Sequence, residues 1–96
     1  MNKTVLITGA SRGIGRACAR VFAGAGYAVA IHYGHSEDAA RALREELLSR
    51  GCDAEIFRAD AADPAAVGDC VARAEARFSH LDALVCCAGI AQQALF

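Results

Sequence analysis

The sequence predicts one α/β domain over residues 1–96, built on a doubly wound parallel sheet of four strands in the order 3-2-1-4. Short β-type runs alternate with longer segments of helical periodicity, in the order β-α-β-α-β-α-β. Such alternation places helices on both faces of a parallel sheet. Right-handed crossovers then give the strand order. The chain carries no internal repeat and no linker, so we expect a single domain.

The first strand is predicted at Thr4–Thr8, a continuous apolar run that ends at Gly9 and suits burial on both faces. The first helix is predicted from Ile14, and Gly24 and Gly26 offer its stop. Its apolar positions recur every three or four residues, which predicts one buried stripe: Ile14, Ala17, Cys18, Val21, Phe22 and Ala25.

The second strand is predicted at Ala28–Tyr33, and Ser36 is the expected N-cap of the helix that follows. Ala40, Leu43 and Leu47 carry the apolar stripe of that helix, which Gly51 closes. A weaker strand follows at 54–59.

The third helix opens at Asp63-Pro64, a capping acid followed by a proline at the first helical position. Its predicted apolar face is Val67, Val71, Ala74 and Phe78. The fourth strand is predicted at 81–87, stopped by the pair Ala88-Gly89.

Composition and charge exclude several classes of function. The net charge is −1 and no basic stripe is present, which argues against a nucleic-acid partner. No apolar run approaches the roughly 18–20 residues that span a bilayer, so we expect no membrane partner. The first residues run straight into a strand and form no signal-peptide core, so we expect a cytoplasmic protein.

The five cysteines, at positions 18, 52, 70, 86 and 87, form no Cys-x-x-Cys pair. The three histidines are scattered, so the spacing supports no metal site. We expect the cysteines to be buried thiols that act as small hydrophobes. Cys86 and Cys87 are neighbours on a strand and should therefore point to opposite faces.

A glycine-rich turn joins the first strand to the first helix, with the sequence Thr8-Gly9-Ala10-Ser11-Arg12-Gly13-Ile14-Gly15. One glycine allows a tight turn, one lets the backbone approach a pyrophosphate, and one permits close packing of helix on strand. Free N–H groups at the helix start form an anion site. The turn therefore predicts a dinucleotide site that includes Gly9, Ser11, Gly13, Ile14 and Gly15.

This turn resembles the cofactor signature of the short-chain dehydrogenases/reductases, and its neighbourhood is most similar to their 3-oxoacyl-acyl-carrier-protein reductase branch. The resemblance covers the whole chain and the N-terminal part of such an enzyme. It implies a Rossmann-type fold and a nicotinamide cofactor. Asp60-Ala61 matches the position that contacts the adenine in this family, although a solvated turn residue is the alternative for Asp60.

Cys86-Cys87-Ala88-Gly89 stands where the family has Asn-Asn-Ala-Gly beside the cofactor ribose. The resemblance implies that the backbone of Cys87, Ala88 and Gly89 approaches the ribose. Any role that needs the two amide side chains is lost.

NADP(H) is favoured over NAD(H). An NAD site places a carboxylate at the end of the second strand, where this sequence has Tyr33. Arg12 resembles the basic residue of NADP-preferring members, and its guanidinium suits a phosphate; a plain exposed turn arginine is the alternative. Ser36 and the backbone near His35 would add hydrogen bonds. The neighbouring acids Glu37 and Asp38 would oppose a phosphate that they faced.

The sequence supplies no catalytic residues of the family's type. The family transfers protons with a serine, a tyrosine and a lysine four residues after the tyrosine. Here Ile31 follows Tyr27 at that spacing, Glu37 follows Tyr33, and Lys3 is the only lysine. We therefore expect no turnover by this chain alone.

Three functions stay open. The first is the cofactor-binding part of an NADP(H)-dependent oxidoreductase that reduces a 3-oxoacyl or similar carbonyl. The second is a stand-alone dinucleotide-binding module without turnover. The third is a structural remnant whose turn binds nothing and which self-associates.

The tail at 90–96 carries no stop signal, so we expect a truncated sheet whose fourth strand forms an apolar edge at Leu84-Val85-Cys86. Unpaired N–H and C=O groups on an edge strand are a template for another chain. We expect a homodimer or larger assembly through this edge.

Overall fold

A computed structural model describes residues 3–11 and 13–87. The elements of these residues follow the predicted order. Their bounds are β1 Thr4–Thr8, α1 Gly13–Gly24, β2 Ala28–Tyr33, α2 Glu37–Ser49, β3 Ala54–Arg58, α3 Pro64–Phe78 and β4 Ala83–Cys86. β1 and β2 have their predicted bounds, whereas β3 and β4 are shorter than predicted at their ends.

The four strands form one parallel sheet in the order β3-β2-β1-β4, which confirms the predicted topology. The register pairs Thr4 with Ala28, Val5 with Ala83, and Val29 with Ala54. The chain runs outward from β1 to β3 and then returns to the other side of β1. The order therefore reverses between β1 and β4, and ligands of doubly wound sheets bind outside the carboxyl ends of the strands at such a point.

Helices cover both faces of the sheet, as predicted. Alternate strand residues feed two cores. On one face, α1 and α2 pack over a core whose buried members are Val5, Ile7, Ala10, Ala19, Val29, Ile31, Tyr33, Ala40, Leu43, Leu47 and Ala54. On the other face, α3 packs over Leu6, Ala28, Ala30, Phe57, Ala59, Cys70, Ala74 and Phe78.

The predicted buried stripe of α1 is wrong at four of its six positions, whereas Cys18 and Phe22 do pack against the core. Ile14 and Val21 are 59% and 71% exposed, and Ala17 and Ala25 are exposed as well. The first turns of the helix instead place the small Gly15 and Ala19 against the sheet, because the backbones approach closely there. Its inner face comprises the buried Gly15 and Ala19 with the half-buried Cys18, Phe22 and Ala23.

The helix starts follow the prediction in part. The Asp63 side chain accepts a hydrogen bond of 3.0 Å from the amide of Ala65, with Pro64 in the first turn, as expected for the start of α3. Ser36 holds the N-cap position of α2, but within the described residues its side chain makes no capping hydrogen bond. Its backbone conformation, φ −91° and ψ 66°, lies outside the extended region that N-cap residues usually adopt.

Burial of all five cysteines is a wrong prediction. Cys70 is buried and Cys18, Cys52 and Cys87 are half-buried, but Cys86 is exposed. Cys87 packs toward α1 and α2 while Cys86 points to the opposite face, which confirms that the two diverge. Cys86 is exposed because α3 packs over β1, β2 and β3, so that within residues 3–87 little of it covers β4.

The described residues offer neither a membrane span nor a metal-binding cluster. No helix among them has the length and apolar character to cross a membrane. No cluster of three or more histidine, cysteine or acidic side chains stands ready for a metal ion in the same part of the chain.

The β4 edge is the place where we expect copies of this chain to meet, and this association stays a prediction. Within the described residues β4 pairs with β1 alone, and Leu84 is 51% exposed. A Leu84→Lys substitution should weaken self-association, because a charged side chain on an edge strand opposes pairing with another strand. Sedimentation velocity at micromolar concentration measures this effect.

Val21→Lys is the matched control, since Val21 is a still more exposed apolar residue that lies on α1. It should leave the association unchanged. A native chain that sediments as a monomer would exclude the expected assembly, and equal weakening by both variants would move the interface away from β4.

Candidate functional site

The predicted site residues that the structure describes lie at the carboxyl edge of the sheet. Parallel strands end at the same edge, so the segments that follow β1, β2, β3 and β4 are brought together there. The described members are Gly9, Ser11, Gly13, Ile14, Gly15, Tyr33, Ser36, Asp60, Ala61 and Cys87. Arg12, Ala88 and Gly89, which were also predicted, lie outside the described residues.

The glycine-rich turn depends on backbone conformations and contacts that other residues resist. Gly9 has φ 67° and Gly13 has φ 60°, both in the left-handed region that favours glycine. A Cβ atom on Gly15 would collide with the carbonyl oxygen of Gly9 and would lie 2.9 Å from the Cα of Ala10. The first turn of α1 therefore rests directly on the backbone of the turn that precedes it.

The start of α1 has the properties of an anion site. Helices leave their first four N–H groups without an intrahelical partner, and their dipole favours negative charge at this end. The first turn of α1 carries no acidic side chain. A Cβ on Gly13 would meet nothing within 4 Å, so the approach to these N–H groups is open there. Ile14 extends from the same turn and is mostly exposed, whereas Ser11 is buried.

His32 ties this turn to the sheet. The amide of Gly9 donates a hydrogen bond of 3.0 Å to Nδ1 of His32, and the amide of Ala10 donates one of 3.0 Å to its carbonyl oxygen. Nε2 of His32 lies 2.8 Å from the carbonyl oxygen of Ala59, just past β3. An amide can only donate, so Nδ1 is the acceptor, and the ring hydrogen resides on Nε2, which donates to Ala59.

The ends of β1 and β4 meet beside the turn. The amide of Cys87 donates to the carbonyl oxygen of Thr8 at 3.2 Å, and the Thr8 hydroxyl donates to the carbonyl oxygen of Val85 at 3.4 Å. Burial raises the pKa of the Cys87 thiol, and the neighbouring Cys18 thiol raises it further. Cys87 is therefore a protonated thiol at neutral pH, next to the first glycine of the turn.

Tyr33 closes the other side of the site. It is only 5% exposed, and its hydroxyl donates to Oε1 of Glu37 at 3.3 Å. Burial, and then the carboxylate of Glu37, raises the pKa of Tyr33. The other carboxylate oxygen of Glu37 pairs with Arg41 at 2.6 Å, so the acid that would oppose a phosphate here already has a cation beside it. Arg58 also acts on Tyr33, in the direction that lowers its pKa.

Asp60 and Ala61 are exposed just past β3, where the resemblance places an adenine contact. Oδ1 of Asp60 accepts a hydrogen bond of 2.9 Å from the amide of Ala62, which makes Asp60 a turn residue as well. Its adenine contact stays a prediction.

A cleft of about 230 Å³ lies at the opposite edge of the sheet, where α1 and α2 end and β2 and β3 begin. Its lining includes Tyr27, Arg50 and Cys52. None of the predicted site residues contributes to it, so we assign it no part in nucleotide binding.

Sequence reasoning missed the role of His32 and the two arginines Arg41 and Arg58. His32 had one available signal, because a polar residue at the carboxyl end of a strand buried on both faces must find hydrogen-bond partners. Arg41 also had a signal, because it follows Glu37 by four residues on the predicted helix, and charged residues at this spacing form ion pairs. Arg58 offered no such signal.

A doubly wound sheet with a glycine-rich turn at its switch point defines the class of dinucleotide-binding α/β proteins. The chain belongs to the short-chain dehydrogenase family, whose profile matches residues 3–96. This confirms the resemblance seen in the sequence.

The relatives include a 3-oxoacyl-[acyl-carrier-protein] reductase of Staphylococcus aureus, 41% identical over 95 residues, which are 99% of this chain and 39% of that protein. An L-rhamnose 1-dehydrogenase (NAD(P)(+)) of a Sphingomonas species is 46% identical over 88 residues, which are 92% of this chain and 35% of that protein. The chain thus spans well under half the length of these relatives.

Among solved structures, a short-chain dehydrogenase from Burkholderia cenocepacia in complex with NADP superimposes with a TM-score of 0.83 at 43% identity. The match covers 85% of this chain and 34% of that one.

Gly15→Ala should damage both the fold and the site, because the added methyl group meets backbone that cannot move aside. We expect a loss of about 1–3 kcal/mol of stability, as for other overpacked positions, and weaker nucleotide binding. Thermal unfolding and calorimetry measure the two effects.

Gly68→Ala is the matched control, since Gly68 also lies in a helix and a Cβ there meets nothing within 4 Å. It should raise stability by roughly 0.5–1 kcal/mol through helix propensity and leave binding unchanged. Equal behaviour of the two variants would contradict the close contact at Gly15.

Tyr33 should ionise above the ordinary tyrosine range near pH 10, as followed by ultraviolet absorbance with Tyr33→Phe to assign the signal. Glu37→Gln should lower the pKa only partway, because burial is the larger cause. The folded state favours the neutral phenol, so the stability that Tyr33 contributes is complete below the ordinary range and falls as pH rises through it. Ionisation of Tyr33 at the ordinary pH would contradict its burial.

Proposed function

We propose that this chain binds NADP(H) at the carboxyl edge of its sheet and forms the cofactor-binding part of an oxidoreductase that interconverts a carbonyl and an alcohol. The observation that carries this proposal is the contact of Gly15 with the backbone of Gly9 and Ala10. It holds the start of α1, whose first N–H groups have no partner within the helix, against the turn. A pyrophosphate needs such a cradle of donors.

We assign the parts of the dinucleotide to the segments that follow the strands. The turn from Gly9 to Gly15 would hold the pyrophosphate. Asp60 and Ala61 would hold the adenine, and the backbone at Cys87, Ala88 and Gly89 would line the ribose on the nicotinamide side. When bound, the cofactor supplies the hydride, and the protein supplies binding and orientation.

The corner at Tyr33 favours NADP(H) over NAD(H). Its neutral hydroxyl takes the place of the carboxylate that would repel a 2′-phosphate. Glu37 is paired with Arg41, which offsets the negative charge at the start of α2. We assign the 2′-phosphate to Arg12, with Ser36 as a hydrogen-bonding neighbour.

The substrate class rests on the relatives. One reduces a 3-oxoacyl carrier-protein substrate by its name and another dehydrogenates a sugar, so the shared chemistry is hydride transfer between a carbonyl and an alcohol. We favour a 3-oxoacyl-like substrate for the whole enzyme. The 96 residues contain no Tyr-x-x-x-Lys, so the chain alone should bind cofactor without turnover, and a stand-alone binding module is the second candidate. A cytoplasmic location stays a prediction.

Calorimetric titration of the purified chain with NADP⁺ and NAD⁺ tests the proposal. NADP⁺ should bind more tightly than NAD⁺. Arg12→Ala should weaken NADP⁺ binding by about tenfold or more, as expected for a hydrogen bond to a charged group, and should change NAD⁺ binding little.

Arg50→Ala is the control variant, because Arg50 lies at the opposite edge of the sheet and pairs with Glu46 at 3.2 Å. It should leave both affinities unchanged. No detectable heat with either nucleotide, from a chain that circular dichroism shows to be folded, would contradict cofactor binding and favour a structural remnant. Equal losses for NADP⁺ and NAD⁺ in Arg12→Ala would remove Arg12 from the 2′-phosphate.

A further inference from the structure

His32 is a buried ionisable residue for which the proposed cofactor chemistry has no direct use. It is 1% exposed and lies at the carboxyl end of β2, on the face of the sheet that α3 covers. Its ring bridges two loops of the site, accepting from Gly9 through Nδ1 at 3.0 Å and donating to Ala59 through Nε2 at 2.8 Å. Its carbonyl oxygen also binds the amide of Ala10.

These three bonds fix the direction of the turn. A glycine can adopt many backbone conformations. Gly9 therefore needs an external partner to hold the left-handed conformation that the turn uses. The amides of Gly9 and Ala10 both point back to His32 and are therefore withdrawn from any ligand. The amides that remain for an anion are those further along, toward the start of α1.

We propose that His32 is a positioning residue whose neutral Nε2–H form holds the glycine-rich turn in the shape that binds the dinucleotide. This deepens the proposed function and rests on it. A proton on Nδ1 would replace the acceptor with a second donor facing the Gly9 amide. Loss of that bond would release the turn, so proton uptake by His32 and dinucleotide binding should oppose each other.

Among the described residues, the groups that surround the ring form no ion pair with it. From the turn, Gly9, Ala10 and Ser11 bring no ionisable side chain. On β3, the register places Phe57 opposite His32. Asp60, beyond Ala59, is exposed and turns its Oδ1 to the amide of Ala62.

The ionisable groups of α3 are occupied elsewhere. Arg73 pairs with Asp69 at 2.8 Å and donates to the carbonyl oxygen of Arg58. Asp63 accepts from the amide of Ala65. Burial raises the pKa of the Cys70 thiol, which stays neutral. No carboxylate among these residues makes an ion pair with the ring.

Two substitutions separate the bonds of the ring. In His32→Asn, the amide oxygen takes the place of Nδ1 and accepts from Gly9, but the side chain is too short to reach Ala59. In His32→Gln, the terminal amide takes the place of Nε2 and donates to Ala59, but nothing accepts from Gly9. Each variant therefore keeps one of the two ring hydrogen bonds: His32→Asn keeps the bond from Gly9, and His32→Gln keeps the bond to Ala59.

NADP⁺ titration of the native chain and both variants between about pH 5 and pH 8, the range in which histidine changes charge, tests the proposal. His32→Gln should bind about tenfold more weakly near pH 8, the cost of one hydrogen bond left unmade at the turn, while His32→Asn keeps most of the affinity. The native affinity should fall toward pH 5 more steeply than that of His32→Asn.

The 2′-phosphate of NADP⁺ also changes charge in this pH range, and this affects the native chain and His32→Asn alike. The test therefore compares the pH dependence of the affinity between these two proteins. His35→Asn controls for the exposed histidine nearby and should keep the native pH profile. A steep fall that survives in His32→Asn, or native affinity in His32→Gln, would overturn the proposal. If His32→Gln does not fold, the pH profiles of NADP⁺ affinity for the native chain and His32→Asn test the proposal by themselves.

Nitrogen NMR of the imidazole and hydrogen exchange of the Gly9 amide keep this inference distinct from cofactor binding. The ring should carry its hydrogen on Nε2, and the Gly9 amide should exchange faster in His32→Gln than in His32→Asn. If these hold while NADP⁺ does not bind, the proposed function fails and His32 remains the holder of the turn. Hydrogen on Nδ1, or equal exchange in the two variants, overturns the inference itself.

Discussion

The contact between the start of α1 and the turn before it is the constraint on which the site depends. Only a residue without a side chain fits at position 15, because the carbonyl oxygen of Gly9 occupies the space that a Cβ needs. The helix can then approach the sheet closely, and Gly15 and Ala19 form the buried part of its inner face. Close approach in turn leaves the larger Ile14 and Val21 on the outside. The anion site and the exposed apolar residues of α1 thus share one cause.

Much of the fold could be predicted because its signals are local. Continuous apolar runs such as Thr4–Thr8 indicate strands buried on both faces, and Asp63-Pro64 marks a helix start by its own chemistry. The strand order followed from the handedness of parallel crossovers. The prediction for α1 fails in part because apolar spacing alone does not tell which residues of a helix face the sheet. The contact at Gly15 turns Gly15 and Ala19 inward and leaves Ile14 and Val21 outside.

The candidate site, like the fold, could be predicted from the sequence only in part. The glycine-rich turn and its position could be predicted, because the glycine spacing carries the geometry. The hydrogen bonds of His32 could not, because they join residues 23 and 27 positions apart whose proximity exists only once the sheet is formed. The exposure of Cys86 was likewise beyond local reasoning, since it depends on how far α3 extends across the sheet.

Two adjacent residues at the end of β2 connect the halves of the site. Successive side chains on a strand point to opposite faces, so the adjacent His32 and Tyr33 contact different elements. His32 holds the glycine-rich turn, and Tyr33 donates a hydrogen bond to Glu37 at the start of α2. A shift of β2 by one residue would exchange the two faces and undo both interactions. The register that pairs Ile7 with Ile31 therefore fixes the glycine-rich turn and the start of α2 relative to each other, and the arrangement of both sides of the candidate site depends on one strand pairing in the core.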